Sequence, residues 1–515
     1  MIKKLAVGLV VLVLVLGVGG FFWARSVLGT DAVRTALADQ LSKALGQPVT
    51  VEGVSATIYP RVTVTLTGVS IGKAGEITVN ALDVGTDFGA LLSRRIEHAA
   101  LHVNQAKVQL PLPPLALGSG TSAPADAGSP VELVSIDEVV LSGIELVSRG
   151  RTLRGDIDIV PRSTTALTVR RVSLTADSAR IDATGEITNT EGPAGTLDIK
   201  AGAIDLDQLL AFASDFVEGS GATAPAGGGA PAGAAPGPST ADLTVNLTAD
   251  RATMAGVTLD TVNGRARIKG DDVSVEPMTF ELFGGTYEGA LGANIGAAPA
   301  FSWKAALKNV DVAAVTAFAG SPGLISGRLA ATIDLTGTGI DAASAMKTAR
   351  GTATLAIQNG SVKNLALVRS AVAATSLNPQ AVIAAAQGQP VDEPFSELGA
   401  SLSIANGTAS TPDLHFVSKD IRLDAGGALK LDGSAVNLQG AVQLSDALTQ
   451  QANPAIVRVL QQDGKITLPA TVRGNVDKYQ IEIDTSQIAK RAITNEAKTQ
   501  ATEAVKRGLG GLLRR

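Results

Sequence analysis

Residues 68–72 (Gly-Val-Ser-Ile-Gly) match the glycine-x-serine-x-glycine motif of serine hydrolases, in which the serine hydroxyl attacks an ester or amide carbonyl. That chemistry requires a sharp turn from a strand into a helix. The alternation before the motif predicts the strand, but residues 73–79 (KAGEITV) predict a turn and a second strand. Glycine is also abundant, with 56 residues, so chance matches are expected. We therefore expect Ser70 to lie in a strand or turn and not to act as a nucleophile.

Two histidines, His98 and His102, are four residues apart, which on a helix would suit a metal ion. No third ligand follows at a suitable spacing, and the sequence continues into a strand pattern. We therefore expect both histidines to be solvated strand residues. The third histidine, His415, is isolated in the sequence.

Two further weak motifs concern phosphate and calcium. Residues 68–73 approach a phosphate-binding loop, but the spacing is one residue short and Ala74 stands where a serine or threonine is needed. Asp271 and Asp272 lie in a turn after Gly270 without the aspartate run of a calcium loop. The sequence thus predicts no catalytic, cofactor-binding or metal-binding residues, and a protein that is not an enzyme.

The composition excludes several classes of function. The chain has 515 residues and no cysteine, which rules out disulfide scaffolds, cysteine-ligated metals and thiol catalysis. Its formal net charge of −5 gives no electrostatic footprint for nucleic acid. Hydrophobic residues make up 45% of the chain but aromatic residues only 3%, so aliphatic side chains supply most of the apolar surface.

The N-terminus carries an uncharged apolar run over residues 5–23. Its length suits a transmembrane helix, and Lys3 and Lys4 before it favour a cytoplasmic N-terminus. The residues that represent this anchor are Leu5, Leu12, Leu16, Phe21 and Trp23. The alternative is a signal peptide cleaved near residues 18–20. Either interpretation places the rest of the chain outside the cytoplasm, and we expect a single-pass inner-membrane protein with its bulk in the periplasm.

Most of the remaining chain alternates apolar and polar residues with turn signals between the runs, which predicts antiparallel β-strands with one apolar face. The representative apolar positions are Val62, Val64, Leu66, Leu243, Val245, Leu247, Leu429, Leu431, Ile481 and Ile483.

Composition shifts divide the chain into five parts. Residues 1–28 form the anchor, 29–218 a first β region, 219–240 an Ala/Gly/Pro-rich linker or loop, 241–485 a second β region and 486–515 a basic helical tail. A short helix beginning near Asp31 would close the end of the sheet or lie on the membrane. A low-complexity loop interrupts the first region at 111–130, and helical spacing appears at 206–217, 311–318 and 362–374. The tail is a solvated helix or contacts an anionic membrane or a partner.

Several short motifs resemble the AsmA family of bacterial envelope proteins, which are bridge-like lipid transfer proteins. Residues 41–54 (LSKALGQPVTVEGV) and 59–64 (YPRVTV) are similar to the family's N-terminal domain. Residues 283–289 (FGGTYEG) resemble a recurring turn, and residues 468–476 (LPATVRGNV) resemble the closing strands. The resemblance covers roughly residues 1–484, while the two low-complexity segments and the tail depart from it.

The resemblance implies one long antiparallel sheet curled into a U-shaped groove. Its apolar concave face, lined by the ten representative positions above, would carry acyl chains. The implied function is transfer of lipids, phospholipids in particular, from the inner towards the outer membrane, without a cofactor. The alternation alone equally allows stacked sheets with a dry core, and therefore a periplasmic scaffold or assembly factor for outer-membrane proteins.

Overall fold

The computed structural model describes most residues of the ranges 31–57, 62–86, 95–111, 132–215, 240–375, 392–475 and 479–483. The described chain is mainly β, as the alternation predicts, and divides into two compact units, residues 1–271 and 272–515. The predicted anchor (1–28) and the predicted tail (486–515) lie outside the described residues. Among the residues that are described, no helix is long and apolar enough to cross a membrane.

Unit 1 (residues 1–271) consists mostly of strands. Their bounds are β1 Val49–Thr50, β2 Gly53–Thr57, β3 Val62–Ile71, β4 Ile77–Thr86, β5 Arg95–Ile96, β6 Ala99–Leu110, β7 Glu132–Leu133, β8 Ile136–Ser148, β9 Arg151–Pro161, β10 Leu167–Ala176, β11 Ala179–Asn189, β12 Ala194–Asp205, β13 Asp242–Met254 and β14 Val257–Lys269.

The main ladder of unit 1 runs in chain order. Both β1 and β2 pair with β3, and the ladder continues through β4, β6 and β8 to β14, while β5 and β7 pair only with each other. Most neighbours are antiparallel, but β6–β8 and β12–β13 are parallel. The prediction of a purely antiparallel sheet is therefore wrong, and the sheet is mixed.

The two parallel pairs coincide with the two low-complexity segments. A parallel pair requires a long return connection, because the second strand must start at the same end as the first. Residues 111–135 join β6 to β8, and residues 206–241 join β12 to β13. The segments that the composition marks as loops are thus the places where the chain returns along the sheet.

The second return connection begins as a helical segment, since the described residues 206–208, 211 and 215 are helical. The Asp207 carboxylate accepts a hydrogen bond from the backbone N–H of Ala255 at 2.7 Å. The buried carboxylate of Asp215 accepts a hydrogen bond from the Ser148 hydroxyl and lies 2.9 Å from Nη2 of Arg149. These contacts tie the connection to the ends of β8 and β13.

Among its described residues, unit 2 (residues 272–515) combines strands with three short helices whose bounds are given in full. The strands are β15 Asp272–Leu282, β16 Gly285–Asn294, β17 Ala300–Asp311, β18 Arg328–Thr338, β19 Arg350–Val362, β20 Glu393–Ala405, β21 Thr408–Val417, β22 Ile421–Lys430, β23 Val436–Leu444, β24 Gln461–Gln462, β25 Lys465–Gly474 and β26 Tyr479–Ile483. The helices are α1 Val312–Phe318, α2 Ala342–Thr348 and α3 Asp446–Gln451.

The ladder of unit 2 is antiparallel throughout, running from β15 to β23 and then to β25 and β26, with β24 beside β25. Side chains cap each helix: Asp311, Asp341 and Ser445 accept hydrogen bonds from the first-turn N–H groups of α1, α2 and α3. Helix α1 confirms the helix expected at 311–318. The expected helices at 206–217 and 362–374 are described in part, and their described residues include helical positions such as Val368 and Ala371.

Candidate functional site: the apolar face of the sheet

A row of apolar residues crosses unit 1 perpendicular to its strands. Cross-strand partners have side chains on the same face, so the register defines the row. It takes one residue from each strand of the main ladder from β3 to β14, and every member is apolar or glycine. In ladder order the members are Val64, Val84, Leu101, Val139, Ile159, Val169, Gly185, Leu197, Val245 and Ala266.

A second row lies two residues along each strand, or three along β10, where the register shifts between Val169 and Val172, and it is equally apolar. Its members are Leu66, Leu82, Val103, Leu141, Ile157, Val172, Ala183, Ile199, Leu247 and Gly264. The predicted positions Val64 and Val245 thus share the first row, and Leu66 and Leu247 share the second.

The opposite face of the same strands is polar. Between the two rows, Thr65 donates a hydrogen bond to Asp83 at 2.6 Å. At the other end of the ladder, Asn246 donates to Asp198 at 2.7 Å and accepts from Arg265 at 2.9 Å. The alternation in the sequence therefore produces one apolar and one hydrogen-bonded polar face.

The apolar rows of unit 1 are partly exposed. Every member except Val169 and Leu66 is half-buried. A second sheet packed on this face would bury the facing side chains in a core about 10 Å thick. Their residual exposure along both rows indicates an apolar face that remains accessible.

The face is closed at the first strands. Val49, Val51, Leu66 and Val69 form a buried cluster, against which Ala38 and Leu41 of the helical segment at 31–42 pack. Of the two roles expected for that segment, the structure supports the closing of the sheet end.

Unit 2 has a corresponding apolar row. From β15 to β25, omitting β24, its members are Val275, Leu291, Trp303, Leu335, Gly351, Ile404, Ala409, Leu429, Val436 and Gly474. Leu291 is 41% exposed although its cross-strand neighbours are apolar. The row is therefore accessible near β16.

The last strands of unit 2 are covered. A buried cluster includes Phe416, Leu423 and Leu468, and residues from the helical segments, such as Ala371 and Leu460, belong to it. This end of the unit has a closed core, so the accessible part of its apolar face lies over the earlier strands.

Irregularities of the ladder align across unit 1. Gly68, Gln105 and Gly143 have positive φ angles of 60°, 54° and 65° and occupy the same level of β3, β6 and β8. Asn80 of β4 lies between them and donates a hydrogen bond to the Gln105 side-chain oxygen at 2.9 Å. The register of β3–β4, β4–β6 and β6–β8 is the same on both sides of this level, and it shifts only between β8 and β9. The positive φ angles therefore interrupt the pairing of neighbouring strands at one common level.

The ten predicted lining positions all lie in or next to strands. Val62, Val64 and Leu66 are in β3, Leu243, Val245 and Leu247 in β13, Leu429 in β22 with Leu431 directly after it, and Ile481 and Ile483 in β26. Leu429 and Leu431 are half-buried against the cluster of Ala349, Ile404 and Ala409. By register Ile481 pairs with Val472 and Ile483 with Ala470.

The candidate chemical residues are dispersed. Ser70 lies inside β3 and pairs with Thr50 and Thr78, and the motif is followed by a bend and β4, not by a helix. His98 Nδ1 lies 3.0 Å from the Asp137 carboxylate, and His415 Nε2 lies 3.4 Å from Glu397.

Asp272, at the turn after Gly270, accepts a hydrogen bond from the side-chain amide of Asn294 at 2.7 Å. Within the described part of the chain, no three histidine, aspartate or glutamate residues are grouped so that they would hold a metal ion.

A cleft of about 540 Å³ lies on the polar face of β11 to β14. Arg180 binds the Asp182 carboxylate through Nε and Nη2 at 2.8 and 3.0 Å. The hydrogen bond from Arg180 holds the pKa of Asp182 below its usual value. Lys200 and Asp250 also line the cleft, so its charges are mixed in sign.

An aromatic cluster on β15 to β17 was not identified from the sequence as a site. The rings of Phe280 and Tyr287 stack with centroids 4.3 Å apart, and Trp303 Nε1 donates a hydrogen bond to the Tyr287 hydroxyl at 2.9 Å. In a chain with 3% aromatic residues, three in one cluster is unusual. The motif at 283–289 resembles a turn, and its tyrosine is the one feature of the sequence that could have indicated the cluster.

A comparison with protein-family models matched residues 222–414 to the AsmA family. The match covers 193 of the 515 residues, and we refer to these matched residues as the AsmA-family region. The comparisons with curated proteins and with solved structures gave no match.

The AsmA-family region contains β13 to β20 and most of β21. It therefore includes the aromatic cluster and the accessible part of the apolar row in unit 2. In unit 1 the apolar rows continue from β13 back to β3, beyond the matched residues.

Proposed function

We propose that this protein carries lipids, phospholipids in particular, along the apolar face of its sheet between the inner membrane and the outer envelope. The observation that carries the proposal is the pair of continuous apolar rows in unit 1, which are half-buried along nearly their whole length. Membership of residues 222–414 in the AsmA family supports an envelope role.

The energetics favour such a surface. An acyl chain in water costs about 0.8 kcal/mol per CH₂ group, so a 16-carbon chain costs about 13 kcal/mol. An aliphatic face removes most of this cost without a specific bond to any one chain. The rows contain Val, Leu, Ile, Ala and Gly and no charged residue, which suits sliding of a chain from strand to strand.

The dimensions fit acyl chains. Neighbouring strands are about 4.8 Å apart, so the rows from β3 to β14 extend about 43 Å. This is longer than one extended 16-carbon chain, so a lipid would move along the row and not simply fill it.

The proposed location follows from the N-terminal apolar run. It anchors the protein in the inner membrane, with the sheet in the periplasm, and the basic residues of 486–515 contact the outer membrane or a partner protein.

A photo-crosslinking amino acid at Val245 tests the function in intact cells. Lipid adducts, identified by mass spectrometry, are expected at Val245 and not at the neighbouring Thr244, which faces the other side of the same strand. If Val245 captures only polypeptide, the scaffold function is favoured and lipid transfer is rejected.

A further inference from the structure

The Tyr287 side chain lies flat on the apolar face of unit 2. Its residue is 6% exposed, and a methyl group placed on Gly289 would lie 2.6 Å from the tyrosine hydroxyl oxygen. The ring therefore extends over Gly289, the next residue on the same face of β16, and glycine provides the room for it. Its hydroxyl reaches the indole of Trp303 on β17.

The hydrogen bonding of this hydroxyl is incomplete. A phenol can accept and also donate one hydrogen bond. In the described residues, the Tyr287 oxygen accepts from Trp303 Nε1, and that is its single hydrogen bond. Burial raises the pKa of Tyr287, so the hydroxyl keeps its proton at neutral pH. A buried donor without an acceptor is unfavourable by about 1–3 kcal/mol, which a suitable ligand would relieve.

The surroundings restrict the ligand. Gly289 pairs with Ala305, and Trp303 pairs with Leu291 and Leu335. Leu291 is 41% exposed, so the surface beside the hydroxyl is open and apolar. A ligand that satisfies the hydroxyl must present a neutral acceptor attached to apolar chains, which describes the ester carbonyl of an acyl lipid. A charged phosphate would lose its hydration on this aliphatic surface.

We propose that Tyr287, held by Trp303, donates a hydrogen bond to the ester carbonyl of an acyl lipid on the apolar face of unit 2. The inference rests on the proposed lipid-carrying function and deepens it, because it adds a polar recognition point to a surface that otherwise contacts only hydrocarbon. It distinguishes ester-linked lipids from ether-linked lipids, which have the same chains but no carbonyl.

The fluorescence of Trp303 reports lipid binding near Tyr287. The chain has two tryptophans, so Trp23→Phe in the full-length protein leaves Trp303 as the single indole. The protein in detergent micelles is titrated with phosphatidylcholine brominated on its chains, in diester and diether forms, and quenching of Trp303 is measured. One hydrogen bond predicts an apparent Kd about two- to ten-fold lower for the diester.

Tyr287→Phe should remove the preference for the diester lipid, while the affinity for the diether lipid stays unchanged. Tyr479→Phe is the matched control, because that hydroxyl already donates to the Lys363 carbonyl at 3.3 Å, and it should keep the preference. Equal affinities for both lipids in the Trp23→Phe parent would overturn the inference and leave lipid carrying intact, even if Tyr287→Phe does not fold. Absence of quenching by either lipid would overturn the proposed function as well.

Discussion

Gly185 on β11 occupies a position in the apolar row where the next strand leaves no room for a side chain. A methyl group there would overlap the carbonyl oxygen of Thr196 and lie 2.9 Å from Cα of Leu197. Glycine at this position therefore sets how closely β11 and β12 approach, and the aliphatic row passes through it without a side chain.

Gly185→Ala is expected to destabilise the protein by about 1–3 kcal/mol, as overpacking does in well-packed sites. Gly202→Ala on the neighbouring strand is the control, because its methyl group would meet only Asp250 Oδ2 at 3.9 Å. Thermal and urea unfolding of both variants measures the difference. Equal stabilities of the two variants would contradict the close approach at Gly185.

The ionisation of Asp413 makes the stability of the protein depend on pH. The backbone N–H of Ser401 donates to Oδ1 of Asp413 at 2.8 Å and the Ser401 hydroxyl to Oδ2 at 2.7 Å. These hydrogen bonds, led by the one from the backbone, hold the pKa of Asp413 below its ordinary value of 3.8. The carboxylate therefore contributes stability above that ordinary value, and the contribution is lost as the pH falls through the lower folded-state pKa.

We expect Asp413→Asn to lower Tm at pH 6 and to have a smaller effect at pH 3. Melting curves of both proteins over this pH range test the expectation. A Tm difference that grows towards low pH would refute the role given to the charge.

At the residue scale, the sequence pattern assigns aliphatic positions to a face of the sheet but does not single out Tyr287. Alternation in β3 and β13 was sufficient to assign Val64 and Val245 to one type of face, because side-chain direction has a period of two. The importance of Tyr287 depends on Trp303, which lies on another strand. Pairing across strands is not encoded in the local pattern.

At the scale of single strands, β13 offers a direct test of the apolar face. Val245→Asp combined with Leu247→Asp places charges on both apolar rows, where a carboxylate would lose hydration against a passing chain. We expect lipid transfer between vesicles to fall at least ten-fold, about 1.4 kcal/mol, while the circular dichroism spectrum is retained.

The control for this pair is Thr244→Asp with Thr248→Asp, which places the same charges on the polar face of β13, opposite Arg267 and Lys200. Transfer should persist in the control. Equal losses in both pairs would indicate a general effect of charge and not a blocked surface.

The parallel pair β6–β8 sets a minimum length for its connection. Ala99 pairs with Ile136 and Leu110 with Ser148, so the chain must return about 36 Å from the end of β6 to the start of β8. Deleting residues 117–126 leaves enough chain for this distance and should preserve folding. Deleting residues 113–130 leaves a reach of about 29 Å and should disrupt the pair.

Limited proteolysis and thermal unfolding distinguish the two deletions. If the variant that lacks residues 113–130 folds with an unchanged Tm, β6 and β8 are not parallel neighbours. The parallel direction itself was not predictable, because alternation is the same for both strand directions. The composition of residues 111–130 does predict a loop, and a long loop of this kind is the sequence feature that a return connection requires.

At the scale of the whole molecule, each unit has its own apolar row, and charged variants can test separately what each row contributes to the proposed lipid transfer. Leu291→Asp with Leu335→Asp charges the row of unit 2, as the β13 pair charges unit 1. If a lipid must pass along both units, the aspartate pair in β13 or the aspartate pair in unit 2 should each stop transfer alone. Combining the two pairs should then cause no further loss of transfer. Independent action would leave about half of the transfer rate in each variant.

Ser302→Asp with Thr336→Asp is the control in unit 2, since these two residues pair on the opposite face. The same vesicle assay measures the rate of lipid transfer for each of these variants and for their combination. The alternation and the strand register define the faces and rows of the sheet, whereas the curvature that would make a groove is encoded in neither.

The two parallel pairs of unit 1 also have a consequence for folding kinetics. In unit 1 they divide the ladder into antiparallel blocks, β1 to β6, β8 to β12 and β13 with β14, in which most neighbouring strands are joined by short turns. Local hairpins form early, whereas closing residues 111–135 and 206–241 carries a larger entropy cost and comes later. Until then each block exposes open strand edges, which are the surfaces most prone to aggregation. The joints at β6–β8 and β12–β13 are therefore where a nascent chain most needs protection.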